Sequence, residues 1–415
     1  MALSIIFLAE ALYRDAPGGS RRVIKELSQG LAARGHRVTV LAPRFHGDEP
    51  DADEQDGVHI RRYGNRRGWA GGLPRLVTEG YQTLVALRRE AGEPFDVLHA
   101  HFAYSHLPAL LLHPTRLARA TIRSFYGPWA SEGLAEAVTE RASAIAPALR
   151  RWAVFHSRDL IERRSLARAD HIIALSDYSI GQLTRSYGVP HAAITLVPGG
   201  VDHCYFTPPT TSKADIRRRL GLPVDGPIIL TVRRLAARMG LDNLIAAMPC
   251  VLAEAPTARL VIVGQGALRP RLEAQASALG LSQSILFTGF VADVDLPLYY
   301  QAADLFVLPT RTLEGFGLIT LEAFASGLPV AGTPIGATPE LLAQVDKRLI
   351  LDGTSADAIA KGIVRYVSEV EGKIDVDVLR ALVLTTYTWE TVVSQTETVY
   401  DNVLHKARWG DAHGR

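Results

Sequence analysis

Short apolar runs alternate with longer amphipathic segments along almost the whole chain. Each run is followed by a polar or glycine-rich turn and then by a stretch with helical spacing, as in Val23 to Arg34. This alternation is typical of a parallel sheet whose consecutive strands are connected by helices. The sequence therefore predicts an α/β fold.

The predicted strands form two series, separated by a segment rich in Gly and Pro, Pro198 to Pro209. The first series comprises Leu3 to Leu8, Arg37 to Ala42, Val58 to Tyr63, Asp96 to Ala100, Ala120 to Phe125, His171 to Leu175 and Ile194 to Val197. The second comprises Ile228 to Val232, Leu260 to Val263, Ile285 to Phe287, Leu305 to Leu308, Pro329 to Ala331 and Leu349 to Leu351. The acidic segment Gly47 to Asp56 is predicted to be a solvated connection.

A sheet series that stops, crosses a turn-rich link and restarts predicts two Rossmann-like, doubly wound domains facing a cleft. We expect the first domain in residues 1–200 and the second in residues 201–388. Residues 389–415 are predicted to form a C-terminal helix that packs back on the first domain. Ligands of such sheets bind at the carboxyl ends of the strands, so the site is expected in the cleft.

Composition agrees with two soluble globular domains, since 47% of the 415 residues are hydrophobic and 21% are charged. A formal net charge of +2 gives no reason to expect a nucleic-acid partner. Two cysteines, Cys204 and Cys250, cannot build a disulfide framework, and the apolar start Ser4 to Leu8 is too short to span a membrane. We therefore expect a cytoplasmic protein.

Glycines follow predicted strands in both halves. Gly18 and Gly19 lie in APGGS, and Gly264 and Gly266 lie in VIVGQG. Glycine lets a backbone approach an oxygen-rich ligand at a helix N-terminus, where free N–H groups favour negative charge. For APGGS, a tight turn without a ligand is equally consistent with the sequence. VIVGQG on its own is a weak signal.

Three arginines, Arg233, Arg234 and Arg238, follow the first strand of the second series in VRRLAARMG. Guanidinium groups are suited to bidentate contact with a diphosphate. Their position at the carboxyl end of a strand favours this role over ordinary solvated surface.

Two acids flank a glycine turn in TLEGFGLITLEAFASGL, which runs from Thr312 to Leu328. Glu314 precedes Gly-Phe-Gly, and Glu322 falls inside an apolar helical stretch. A carboxylate among apolar residues is costly unless it accepts hydrogen bonds, for example from ribose hydroxyls. The alternative is that Glu322 accepts from buried protein groups.

These motifs together resemble the retaining glycosyltransferases of family GT4, which have the GT-B fold. The resemblance rests on several segments that agree in order and spacing: APGGS, RGHRV at 34–38, GGVD at 199–202, VRRL at 232–235, VIVGQG at 261–266, FTGFV at 287–291, the Glu-x7-Glu pair with EGFG at 314–317, and SGLPV at 326–330.

The resemblance implies a role for each matching residue. Arg234, helped by Arg233 or Arg238, would contact the diphosphate, and Glu314 would bind hydroxyls of the transferred sugar. Glu322 would hold the ribose. Backbone groups would come from the following residues: Gly18 and Gly19 near the donor phosphates or the acceptor, Gly266 in the donor site, Phe290 and Val291 at the base, and Phe316, Gly317 and Leu318 at the sugar or phosphate.

Two positions depart from the family pattern. Met239 stands where many members have a lysine that neutralises the diphosphate, and Tyr126 stands where many have histidine. Tyr126 can contact a sugar hydroxyl but cannot carry out the same proton chemistry near neutral pH. His101, in DVLHAHF, matches a region where the family has a histidine, and a structural histidine is the alternative.

The arginine-rich segment 141–168 could form a basic amphipathic face that touches a membrane surface, which would place the enzyme at the inner face of the membrane. Solvated helix surface is the alternative, because Asp159 and Glu162 interrupt the segment.

The resemblance thus implies a retaining hexosyltransferase that needs neither metal nor cofactor and moves a sugar from a nucleotide donor to an unidentified hydroxyl. The resemblance favours a UDP-sugar as the donor. Alternatives are another GT-B enzyme, such as an epimerase, or a catalytically weak sugar-nucleotide-binding protein.

Overall fold

The computed structural model describes residues 2–16, 18–46, 49–64, 72–111, 117–137, 145–368 and 374–412. The chain divides into two compact units. The first contains Met1–Ser131, Ala144–Gly199 and Trp389–Arg415, and the second contains Glu132–Ser143 and Gly200–Thr388. After residue 200 the chain is therefore in the second unit, and it returns to the first at Trp389.

The first unit is built on an eight-stranded sheet with the order β3-β4-β2-β1-β5-β6-β7-β8. Its strands are β1 Ser4–Leu8, β2 Arg37–Pro43, β3 Ala52–Gln55, β4 Val58–Tyr63, β5 Phe95–Ala100, β6 Ala118–Phe125, β7 His171–Ala174 and β8 Ile194–Leu196. Its helices are α1 Gly19–Ala33, α2 Gly72–Ala91, α3 Ala103–Leu110, α5 Ile145–Ala167 and α6 Asp177–Tyr187. Helix α4, Trp129–Ala137, begins in the first unit and continues from Glu132 in the second. All neighbouring strands pair in parallel except β3, which runs antiparallel to β4.

The second unit has a five-stranded parallel sheet with the order β11-β10-β9-β12-β13. Its strands are β9 Ile228–Val232, β10 Arg259–Val263, β11 Ile285–Gly289, β12 Leu305–Leu308 and β13 Val330–Gly332. Its helices are α7 Lys213–Arg219, α8 Leu241–Glu254, α9 Arg269–Ala278, α10 Leu296–Ala302, α11 Leu318–Ala325, α12 Thr338–Leu342, α13 Ala356–Ser368 and α14 Val376–Thr386. The central strands are almost fully buried, as expected for a parallel sheet covered on both faces.

The final helix, α15 Trp389–Ala412, packs on α1 and β6 of the first unit. Gly30 of α1 meets Val393 so closely that any side chain at residue 30 would overlap it. At the edge of this contact, Glu397 pairs with Arg34 and with the His36 ring. Apolar packing and a polar rim together attach α15.

Two local predictions were wrong. Leu349 to Leu351 is not a strand: Lys347–Leu349 forms a 3₁₀ turn, and only an isolated bridge joins Ile350 to Gly332. Its apolar residues reflect burial at that turn. The segment Gly47 to Asp56 is not simply a connection, because its second half forms edge strand β3.

No helix in the described ranges is long and apolar enough to cross a membrane. Of the predicted basic face, residues 141–144 lie outside the described residues. Within α5, Trp152 is 61% exposed, while Arg163 is paired with Asp159 at 2.8 Å. This pairing offsets part of the basic charge.

Candidate functional site

Arg233 follows the last residue of β9 and turns its guanidinium into the second unit. Its side chain is only 4% exposed. Nη2 lies 3.0 Å from Oε2 of Glu314, and Nη1 donates to the Thr310 hydroxyl at 2.8 Å. Desolvation lowers the pKa of Arg233, and the Glu314 carboxylate acts against that change. Arginine remains protonated in proteins, so this is a buried ion pair.

Glu314 is held through both its side chain and its backbone. Thr310 shares the same carboxylate oxygen, at 3.0 Å, and the Ala337 N–H donates to the Glu314 carbonyl at 2.9 Å. Gly336 lies against that carbonyl with a φ of 64°, where a Cβ would overlap the backbone. The carboxylate is therefore fixed before any ligand arrives.

Arg238 braces the loop that leads to Glu314. Its Nη1 donates to the Leu313 carbonyl at 2.9 Å, and its own carbonyl accepts from the Arg311 N–H at 2.9 Å. Leu313 has a φ of 58°, in the left-handed region that non-glycine residues seldom occupy. The neighbouring Met239 is buried in the apolar core and brings no charge to this site.

Gly264 and Gly266 allow two loops to pack together. A Cβ at Gly264 would overlap the Arg233 carbonyl, and one at Gly266 would overlap the Leu235 backbone. Gly264 also has a φ of 135°. These glycines fix the position of the arginine loop, a packing role that does not itself require a ligand.

Glu322 lies in α11, five residues after Gly317, which has a φ of 92° and precedes the helix. Its residue exposure is 6%, and Tyr300 donates to Oε2 at 2.7 Å. Glu322 is therefore satisfied at least in part by protein. Beside the helix start, Phe316 is buried against Tyr387, and Leu318 is half-buried.

Two predicted donor residues, Arg234 and Phe290, lie at the surface of the second unit. Arg234 is exposed, in contrast to the buried Arg233 beside it. Phe290 is 59% exposed immediately after β11, and Val291 is half-buried. The carboxyl ends of β9 and β11 thus present a cation and an aromatic ring to solvent.

In the first unit, Gly18 and Gly19 are exposed and lie at the start of α1. The preceding loop is tied to the sheet by Asp15, which pairs with the buried Arg62 at 2.8 Å. After the glycines, Ser20 donates to Glu10 at 2.9 Å. Contacts on both sides therefore hold the glycine turn.

His101 and Tyr126 come together in the first unit, one residue after β5 and one after β6. The His101 Nδ1 lies 2.7 Å from the Tyr126 hydroxyl. His101 is 0% exposed, and its ring stacks on His99 with centroids 4.0 Å apart. The sequence indicated both residues separately, but not that they bond to each other.

Two family models match different parts of this chain. The family model Glycosyltransferase Family 4 matches residues 17–204, and the model Glycosyl transferases group 1 matches residues 212–372. The chain belongs to the glycosyltransferases of family GT4, and its two parallel-sheet units have the GT-B fold.

Among curated relatives, the GDP-mannose-dependent alpha-(1-6)-phosphatidylinositol monomannoside mannosyltransferase of Mycobacterium tuberculosis is 27% identical over 95% of this chain and 97% of its own. The Mycolicibacterium smegmatis enzyme of the same description is 34% identical over 51% of this chain and 56% of its own. Among solved structures, the sucrose-phosphate synthase of Thermosynechococcus elongatus aligns with a TM-score of 0.79 and 24% identity, covering 97% and 100% of the two chains.

These findings confirm the predicted fold, family and enzyme class. The predicted roles of individual residues stay predictions.

Proposed function

We propose that this glycosyltransferase moves a hexose from a nucleotide-diphosphate donor to an acceptor hydroxyl, with retention at the anomeric carbon. The observation that carries the proposal is the buried cluster of Arg233, Thr310 and Glu314 at the end of β9. It holds a cation and a carboxylate ready beside each other, which suits a substrate with a departing diphosphate and a hydroxyl-rich sugar.

In this proposal Arg233 is the principal cation at the diphosphate, because it is preorganised by two acceptors, while Arg234 lies at the surface. This changes the emphasis of the sequence prediction, which put Arg234 first. Arginines supply the positive charge, so the proposal requires no metal. Glu314 accepts hydrogen bonds from sugar hydroxyls through the carboxylate that Arg233 and Thr310 orient.

Glu322 would bind the ribose, and N–H groups of Phe316, Gly317 and Leu318 would meet donor oxygens at the start of α11. In the first unit, Gly18, Gly19 and His101 are proposed to contact donor phosphates or acceptor. The backbone at Phe290 and Val291 would meet the base. The exposed Phe290 ring leaves that end of β11 accessible.

For the donor, the curated relatives favour GDP-mannose, which is named for the mycobacterial enzymes, over the UDP-sugar that the sequence predicted. For the acceptor, several relatives are named for inositol-containing substrates, either phosphatidylinositol mannosides or inositol 3-phosphate. We therefore propose GDP-mannose and an inositol-bearing acceptor as the first pair to test.

The donor is identified by a thermal-shift screen of GDP-mannose, UDP-glucose and ADP-glucose. A ligand at about a hundred times its dissociation constant adds about 2.7 kcal/mol to stability. We expect the largest shift with GDP-mannose and a smaller one with free GDP. A shift with UDP-glucose alone would restore the sequence prediction, and no shift with any sugar nucleotide would contradict the proposed site.

Retention is tested on the product by proton NMR of the new glycosidic bond. An α-linked donor is expected to give an α-linked product. A β-linked product would contradict retention while leaving the transferase class intact.

Replacing Arg238 by alanine is expected to reduce kcat on the order of 10²-fold, the effect of losing one charge-stabilising group. Loss of the hydrogen bond from Arg238 to the Leu313 carbonyl adds to the fall in kcat, because it loosens the loop that positions Glu314. Arg219→Ala is the matched control, because Arg219 is exposed on α7. Equal kcat values for Arg238→Ala and the wild-type enzyme would rule the role out.

A further inference from the structure

A line of hydrogen-bonding groups runs through the first unit from α15 to His101. The Tyr400 hydroxyl lies 2.7 Å from Nδ1 of His99, and Nε2 of His99 lies 2.8 Å from the Ser124 hydroxyl. Ser124 in turn forms a hydrogen bond with Tyr126, whose hydroxyl lies 2.7 Å from Nδ1 of His101. The line therefore ends at the Nε2 atom of His101.

Both imidazole rings in this line are neutral near pH 7. Burial, reinforced by the positive charge of Arg123, lowers the pKa of His99 to about 3. Burial also places the pKa of His101 well below its usual value. A neutral imidazole has one N–H donor and one nitrogen acceptor, so each ring is in one of two tautomers.

The number of protons available decides which group donates in each of these hydrogen bonds. Burial raises the pKa of Tyr400 and Tyr126, so both hydroxyls keep their protons. Within the described ranges, the Tyr400 hydroxyl has His99 as its hydrogen-bond partner, so its proton goes to Nδ1 of that ring. The opposite direction would bury this proton without an acceptor, which is costly.

From Tyr400 each later bond follows in turn. His99 must then carry its hydrogen on Nε2 and donate to Ser124. Ser124 donates to Tyr126, and Tyr126 donates to Nδ1 of His101. The hydrogen of the His101 ring is consequently on Nε2.

That Nε2 atom is buried and has no hydrogen-bond partner among the residues that the structure describes. A buried N–H group that makes no hydrogen bond is unfavourable. In a native protein such a group calls for an explanation, such as a bound ligand. His101 follows β5 directly, at the carboxyl edge of the sheet, where ligands of doubly wound folds bind.

We propose that Tyr126 is a positioning residue that holds His101 in the Nε2–H tautomer, so that the ring donates one hydrogen bond to a substrate oxygen. The identity of the substrate that carries this oxygen rests on the proposed function. Tyr126 acts through His101, because it donates its one proton to that ring.

The tautomer is measured by ¹⁵N NMR of the full-length protein labelled at histidine, with His101 assigned from the signals missing in His101→Gln. The wild-type protein is expected to have a protonated Nε2 and a hydrogen-bonded, unprotonated Nδ1 at residue 101. In Tyr126→Phe the Nδ1 signal is expected to shift, because its donor is gone. This measurement needs no substrate.

The same variant is then assayed with the donor that the thermal-shift screen identifies. Loss of one neutral hydrogen bond is expected to lower kcat/KM about ten-fold. Tyr187→Phe is the matched control, since Tyr187 is half-buried in the same unit and contacts neither histidine. Its His101 signals and its kcat/KM are expected to match the wild-type values.

A proton on Nδ1 of His101 in the wild-type protein would overturn the proposal, as would His101 signals that Tyr126→Phe leaves unchanged. An altered Nδ1 signal with unchanged kcat/KM would overturn the donor role toward substrate. If no sugar nucleotide is a substrate, the proposed function fails, while the NMR result on the tautomer still decides the role of Tyr126.

Discussion

Replacing Arg233 by methionine is expected to lower kcat/KM for sugar transfer by on the order of 10²- to 10³-fold, the range found when one preorganised charge-stabilising group is removed. The guanidinium is fixed by Glu314 and Thr310 before the donor binds, so little reorganisation is needed during reaction. Steady-state kinetics with the identified donor measure the effect.

The same change leaves the Glu314 carboxylate, 14% exposed, without its cation. Breaking a buried ion pair from one side costs about 3–5 kcal/mol, so the loss of activity must be separated from unfolding. The double variant Arg233→Met/Glu314→Gln removes both charges and is expected to recover most of the stability but none of the activity.

Two further variants sharpen the result. Arg234→Met tests the exposed neighbouring arginine, which the sequence prediction put first. We expect a smaller loss of kcat/KM from Arg234→Met than from Arg233→Met. Arg219→Met is the surface control. Wild-type kcat/KM in a folded Arg233→Met protein would remove Arg233 from the site.

Lowering the pH from 7 to 5 is expected to destabilise the first unit by about 4 kcal/mol through two buried histidines alone. Burial lowers the pKa of both His99 and His106 to about 3. In the unfolded chain each has a pKa of about 6.5. Between these two pKa values the unfolded state binds one more proton per histidine than the folded state. The free energy of unfolding therefore falls as the pH falls, by about 1.4 kcal/mol per pH unit for each histidine.

The measurement is urea unfolding at pH 7 and pH 5, followed by tryptophan fluorescence. Trp129, Trp152 and Trp389 lie in the first unit, so their fluorescence reports on that unit. Burial raises the pKa of Glu162, which acts in the opposite direction.

A single-residue comparison isolates the histidine contribution. The His106 Nδ1 lies 2.9 Å from the Ser165 hydroxyl, and an asparagine amide can take the place of that nitrogen without titrating. His106→Asn is expected to lose about 2 kcal/mol less than the wild-type protein between pH 7 and pH 5. Equal losses in the two proteins would mean that His106 is protonated in the folded state.

The sequence predicted most of the fold because parallel strands buried on both faces are continuous apolar runs. β1, with Ile5 to Leu8, is of this kind. β3 was missed because its residues, ADEQ, are polar, and pairing with β4 at a sheet edge needs no apolar side chains. The turn at Lys347–Leu349 precedes apolar residues that resemble a strand but are buried for packing.

Motifs indicated the loops that form the candidate site, but they could not resolve contacts between distant segments. Arg233 and Arg234 are identical in type and adjacent, and only the fold separates the buried one from the exposed one. Arg238 was interpreted from its charge, whereas its bond to the Leu313 carbonyl depends on a loop 75 residues away. Such pairings have no local signal in a single sequence.

The return of α15 to the first unit imposes an order on biosynthesis. A ribosome makes the sheet of the first unit early, but α15 emerges only after all of Gly200–Thr388. Until then Tyr400 cannot reach His99, and the face of α1 that packs on Val393 stays uncovered. Domains usually fold as they are synthesised. In this protein the first unit to be translated is therefore the last to be completed.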